Sequence, residues 1–121
     1  MSYTSFEQLE CWQLCREVRL WVTTICKQLP KDEQYDLKDN IRRAARSTTR
    51  NIAEGFGRYH HGENIQFCRI SRGSLFEILD DAITAKDDEY ISQEEFQTGK
   101  MKIDRAIKSV NGYIKYLTSL K

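Results

Sequence analysis

From the first residue onward, apolar side chains return every three or four positions, and four stretches keep this up long enough to be helices. The first covers residues 5–29. At about 100° per residue, Cys11, Leu14, Cys15, Val18, Trp21, Val22, Ile25, Cys26 and Leu29 fall on one face, while Phe6, Leu9 and Trp12 drift onto a neighbouring strip. Pro30, the one proline of the chain, closes it. The second helix covers 36–54. Leu37, Ile41, Ala44, Ala45, Thr48 and Ile52 form its stripe, and Gly55 and Gly57 are its expected stop. The third covers 63–86, with Phe67, Ile70, Ser74, Leu75, Ile78, Ala82 and Ile83 inward. Gly73 and Ser74 are small enough there for another backbone to come close. The fourth opens with a capping box, Ser92 as cap and Glu95 three residues on. Phe96, Ile103, Ile107, Val110, Ile114 and Leu117 then repeat at spacings of 3, 4 and 7. No stretch alternates as a strand does. Four helices with short connections predict an all-α, antiparallel up-down-up-down four-helix bundle, with residues 1–121 as one domain.

Composition narrows the setting. Apolar residues at 40% and charged residues at 31% suit an ordinary soluble domain. No stretch approaches the roughly 20 apolar residues of a membrane span. The opening MSYTSFEQLECW has neither the basic nor the apolar region of a signal peptide. The expectation is a cytoplasmic protein that does not meet a membrane. Of the four cysteines, Cys11, Cys15 and Cys26 share a helix face, which suits small buried hydrophobes better than disulfides or ligands. Beyond them and Cys68 a metal site would have only His60 and His61 to recruit, so neither metal nor cofactor is expected.

The net charge of +1 hides a segregation along the chain. Residues 42–72 carry Arg42, Arg43, Arg46, Arg50, Arg58, Arg69 and Arg72 against Glu54 and Glu63 alone. Residues 77–95 carry eight acids, among them Glu77, Asp80 and Asp81, against Lys86 alone. On a helical wheel Arg42, Arg46 and Arg50 lie within about 80° of one another and roughly opposite the apolar stripe. Planar guanidiniums in a row suit a phosphate backbone. They equally suit an ion-pair surface between subunits, with Glu54, Glu77, Asp80 and Asp81 as partners. Arg58, Arg69 and Arg72 extend the candidate nucleic-acid set.

Other chemistry is poorly represented. Gly55-Phe56-Gly57-Arg58 lacks the preceding strand and third glycine of a phosphate loop. Ser74 and Glu77 share a face but no histidine joins them, and no acyl-transfer triad or metal cluster is apparent, so no enzyme is expected. Phe6, Leu9 and Trp12, with Tyr113 and Tyr116, form a second apolar strip beyond what one bundle buries, which points to an oligomer interface. Basic and acidic faces on one chain favour head-to-tail contacts that close into a ring.

Tyr35-Asp36-Leu37, then Ile41-Arg42-Arg43-Ala44-Ala45-Arg46-Ser47, then Asn51-Ile52-Ala53-Glu54-Gly55-Phe56-Gly57-Arg58 resembles the bacterial 23S ribosomal RNA intervening-sequence protein family, or S23 family. Phe6, Leu9 and Trp12 match its opening, Pro30 and Glu33 its first turn, and Gly73-Ser74-Leu75 with Glu77 its third helix. The resemblance spans essentially the whole chain. The sequence departs at Thr48-Thr49-Arg50, where small or apolar residues and proline are frequent. The resemblance implies a four-helix bundle assembled as a homo-oligomer, a pentamer. It implies a kinship with the accessory variability determinant of diversity-generating retroelements, which binds nucleic acid and a reverse transcriptase. The motif also sets Arg43 beside two acids, here Glu54 and Glu77, and a structural ion pair among them is expected. The functional expectation is a non-catalytic oligomer that grips RNA or DNA through the arginine face without reading bases. The alternative is a scaffold in which the arginines hold subunits together.

Overall fold

The computed structural model describes residues 3–121, and among them all regular structure is helical. Helix α1 spans Glu10–Cys26, α2 Leu37–Gly57, α3 His61–Asp87 and α4 Gln93–Ser119. α1 packs against α2 and α4, and α3 packs against the same two, so the four sit at the corners of a square with consecutive helices adjacent. This is the antiparallel bundle predicted from the spacing.

Each helix turns one stripe inward for the reason the periodicity gives. Cys15, Val18 and Val22 of α1 and Ile41 and Ile52 of α2 are almost fully buried, as are Leu75 and Ile78 of α3 and Ile103 and Val110 of α4. α4 shows the plainest case. Phe96, Ile103, Val110 and Leu117 are seven residues apart and all buried. Its capping box is formed: the Glu95 amide donates to Ser92 Oγ at 3.0 Å, and the Ser92 amide donates to Glu95 Oε1 at 2.9 Å. The four cysteines are free and buried.

Four expectations are corrected. The first helix does not run unbroken from residue 5. Phe6–Gln8 makes a 3-10 turn, Leu9 is extended (φ −75°, ψ 127°), and α1 starts at Glu10. The break drops Leu9 into the core at 2% exposure, so Leu9 is no part of an outer strip. Phe6 and Trp12 stay half-buried outside it, their rings edge to face at 5.3 Å. Second, Gly55 does not stop α2, which runs on to end at Gly57 without a left-handed glycine. At Gly55 α2 lies tight against α3, since a Cβ there would lie 2.6 Å from Asn64 Oδ1 and 2.9 Å from Phe67 Cβ. The reversal falls at Tyr59, whose φ of 55° is left-handed. Third, Ile70 and Ile83 point outward, while Ser71 and Ala85 take the inner positions of α3. Fourth, the tight approach is not at Gly73, which faces open space. Besides Gly55, the tight approach is at Gly99 on α4, over which the Trp21 ring lies.

Candidate nucleic-acid interface

The inward stripe of α2 leaves Lys38, Arg42, Arg46 and Arg50 on its outer side, four residues apart and therefore in one row. α1 runs beside that row. Its own outer positions Arg19, Thr23 and Lys27 are also four apart. The two rows face each other across the α1–α2 groove. One hollow of about 350 Å³ is lined by Thr23, Cys26, Lys27, Lys38, Arg42 and Arg46. The next, of about 340 Å³, is lined by Phe6, Trp12, Arg19, Arg46, Thr49, Arg50 and Ala53. Arg46 lines both, so the hollows adjoin, and no carboxylate lines either, although Arg50 at the end of the second also lines a hollow toward α3 that holds Glu77, Asp80 and Asp81.

The groove therefore concentrates six cations. Arg19 is anchored, its Nη1 donating to Thr49 Oγ1 at 2.9 Å, and Thr49 itself is buried. Among the described residues, none of the six forms an ion pair. Burial raises the Cys26 thiol pKa, and the charges of Arg42 and Lys38 pull against that rise. Like charges at four-residue spacing cost a helix about 0.2–0.5 kcal/mol per pair. The row Lys38-Arg42-Arg46-Arg50 contains three such pairs, and an anion laid along the groove would relieve all of them.

The opposite flank of α2 differs in kind. A hollow of about 480 Å³ toward α3 sets Arg43 and Arg50 opposite Glu77, Asp80 and Asp81. At its floor Ser74 Oγ donates to Ser47 Oγ at 2.8 Å, and Asn51 Nδ2 donates to the Ser47 carbonyl at 2.8 Å. Burial, with the charges of Asp80 and Glu77 added, pushes the Asp81 carboxyl up to about 6. The expected pairing of Arg43 with Glu54 and Glu77 is not formed. Arg43 pairs with Asp39 one turn back at 2.6 Å, and Glu54 pairs with Arg58 one turn on at 3.2 Å. Each has a partner on its own helix within shorter reach. Both pairs are well exposed and contribute little to stability.

The other predicted contact residues are dispersed. Arg58 is held by Glu54 and by Glu63 at 3.6 Å and lies over the Phe67 ring. Arg72 reaches α4, donating to Asn111 Oδ1 at 2.8 Å. Arg69 is exposed on α3, away from the groove. Of the six arginines proposed from sequence, the fold thus gathers Arg42, Arg46 and Arg50. It adds Arg19, Lys27 and Lys38, which a count over residues 42–72 passes over. The four-residue spacing of Arg19 and Lys27 around Thr23 was the available signal. Phe6 and Trp12, expected in an oligomer interface, border the groove beside Arg19 and Arg50.

Among the described residues no three His, Cys, Asp or Glu side chains stand close enough to share a metal ion, and no helix is long and apolar enough to cross a membrane. No curated protein matches the chain. A solved structure from Bacteroides thetaiotaomicron, a protein of unknown function from the S23 ribosomal protein family, superposes with a TM-score of 0.79. It shares 18% identity and covers 87% of this chain and 98% of its own, a likeness of fold. The sequence pattern of the family described as 23S rRNA-intervening sequence protein matches residues 7–112. With nearly the whole bundle inside that match, the chain belongs to the 23S rRNA-intervening sequence protein family.

Proposed function

We propose that this protein is a non-catalytic, cytoplasmic binding protein that grips the phosphate backbone of a nucleic acid along the α1–α2 groove. One observation carries the reading: six cations line two adjoining hollows between α1 and α2, and no carboxylate is among the walls of either. Phosphate contacts of this kind position a strand without reading its sequence. The family name connects these proteins with intervening sequences of 23S rRNA, so RNA is the first ligand to try and duplex DNA the second. If all six cations engage phosphates, the slope of log affinity against log salt is roughly −5 on duplex and roughly −4 on single strands.

A second reading rests on the other flank. The carboxylates of Glu77 and Asp80 form no ion pair among the described residues, and Phe76 and Ile83, seven residues apart on one face of α3, are both exposed. Both features suit a scaffold that assembles head to tail into a homo-oligomer, the pentamer that the family resemblance implies. The test is anisotropy of labelled RNA and duplex DNA across a salt series, wild type against Arg42→Glu/Arg46→Glu/Arg50→Glu, with particle size followed in parallel. Salt-steep binding that disappears in a variant of unchanged size supports the phosphate grip. Dissociation of the variant supports the scaffold, and no binding by wild type at low salt retires the grip.

A further inference from the structure

We infer that the Phe6–Trp12 end of the groove is a seat for one unpaired nucleobase, so that the strand held here is single-stranded. This rests on the phosphate-grip reading and narrows its ligand. Phe6 and Trp12 are only partly buried, packed against the edge of the core, while Leu9, between them in sequence, is fully inside it. Their rings meet edge to face at 5.3 Å and 62° and border a hollow of about 340 Å³, at the small end of ligand cavities. Arg19, Arg46 and Arg50 line it too, with Thr49 and Ala53.

The platform is set before any ligand arrives. The 3-10 turn that carries Phe6 is closed by a reciprocal capping box between Ser5 and Gln8. Gln13 of α1 fastens it further, its Nε2 donating to the Glu7 carbonyl at 2.9 Å. Arg19 is fixed by Thr49 at 2.9 Å, so its guanidinium plane is held at the hollow's wall with most of its donors unused. Aromatic faces and arginine planes are the surfaces on which splayed-out bases stack. A duplex keeps its base faces inside its own stack and cannot offer one. A single strand can place a base here while its flanking phosphates run toward Arg46, Arg42 and Lys38.

The experiment compares two labelled oligonucleotides of equal length and phosphate count, one carrying bases and one abasic throughout, by anisotropy at matched salt. Wild type is expected to bind the base-bearing strand about ten-fold more tightly, the effect of one base stacked on an aromatic side chain. In Phe6→Leu/Trp12→Leu the two strands are expected to bind alike, at the abasic affinity and with the abasic salt slope. The abasic comparison in wild type stands even if that variant does not fold. Equal binding of both strands by wild type overturns the seat and leaves the phosphate grip in place. A preference for bases that survives in the folded double variant also overturns it, by moving the stacking elsewhere. Absence of binding to either strand removes the grip and the seat together.

Discussion

Replacing Arg46 by Gln is expected to stabilise the free protein while weakening its hold on nucleic acid. Arg46 has Arg42 four residues before it and Arg50 four residues after it, and no carboxylate pairs with it among the described residues. Each like-charge pair at that spacing costs about 0.2–0.5 kcal/mol, so removing the central charge relieves about 0.4–1 kcal/mol. Gln and Arg have nearly equal helix propensity, so the backbone is unaffected. Arg46 is exposed, so little packing is lost. For a chain of this size the gain is a rise in melting temperature of about 2–5 °C. It belongs to low salt. At about 0.01 M the Debye length is near 30 Å, and at about 1 M it is near 3 Å, where the gain should vanish. Thermal unfolding by circular dichroism at both salt levels measures it, and the same variant should lose about one unit of salt slope in nucleic-acid binding. An Arg46→Gln protein that melts lower than wild type at low salt refutes the reasoning. It would mean that the guanidinium is satisfied by an acid, as the inter-subunit scaffold requires.

Gly99→Ala drives a Cβ into the Trp21 ring. Overpacking there outweighs the helix gain of alanine over glycine and should lower urea-unfolding stability by about 2 kcal/mol. Gly112→Ala, on the same helix with open space around it, should instead raise stability by up to about 1 kcal/mol. Asp81 has a folded pKa raised from 3.8 to about 6, so the protonated carboxyl is the form the fold favours. Its contribution is full below 3.8 and lost as pH rises through about 6. Wild type should therefore lose stability relative to Asp81→Asn across that window, and parallel pH profiles of the two would contradict the assignment. Burial pushes the Cys15 thiol up to about 11 and the Cys68 thiol to about 12. Both should resist thiol reagents until the protein unfolds, and a labelling rate faster than global unfolding would disagree.

What could be read from the sequence divides by whether a residue's role is set along its own helix or across to another. The fourth helix is legible because both of its signals are local: Ser92 and Glu95 satisfy each other within one turn, and a seven-residue apolar repeat buries the same face whatever lies opposite. A glycine does not work that way. Gly55 reads as a helix stop by type, yet its hydrogen in place of a methyl matters because Asn64 and Phe67 stand against it from α3. Gly99 is silent in the sequence until Trp21 is seen above it. The same holds for Ile70 and Ile83, whose place on the wheel fixes an angle but not which two neighbours the helix will have. The candidate site follows this division closely. Arg42, Arg46 and Arg50 are found by spacing along α2 alone. Arg19 and Lys27 become part of the site only because α1 docks beside α2 with its own four-residue row turned to the same groove. A charge count along the chain therefore captures the three arginines of one wall of the groove and, by including Arg58 and Arg72, two arginines already engaged elsewhere. The wall it misses is the one that distinguishes the two functional readings. A row of arginines alone could face an acidic partner subunit as well as a phosphate chain. Two facing rows of cations, ending at an aromatic pair and with no acid lining the hollows between them, leave room there for an extended polyanion.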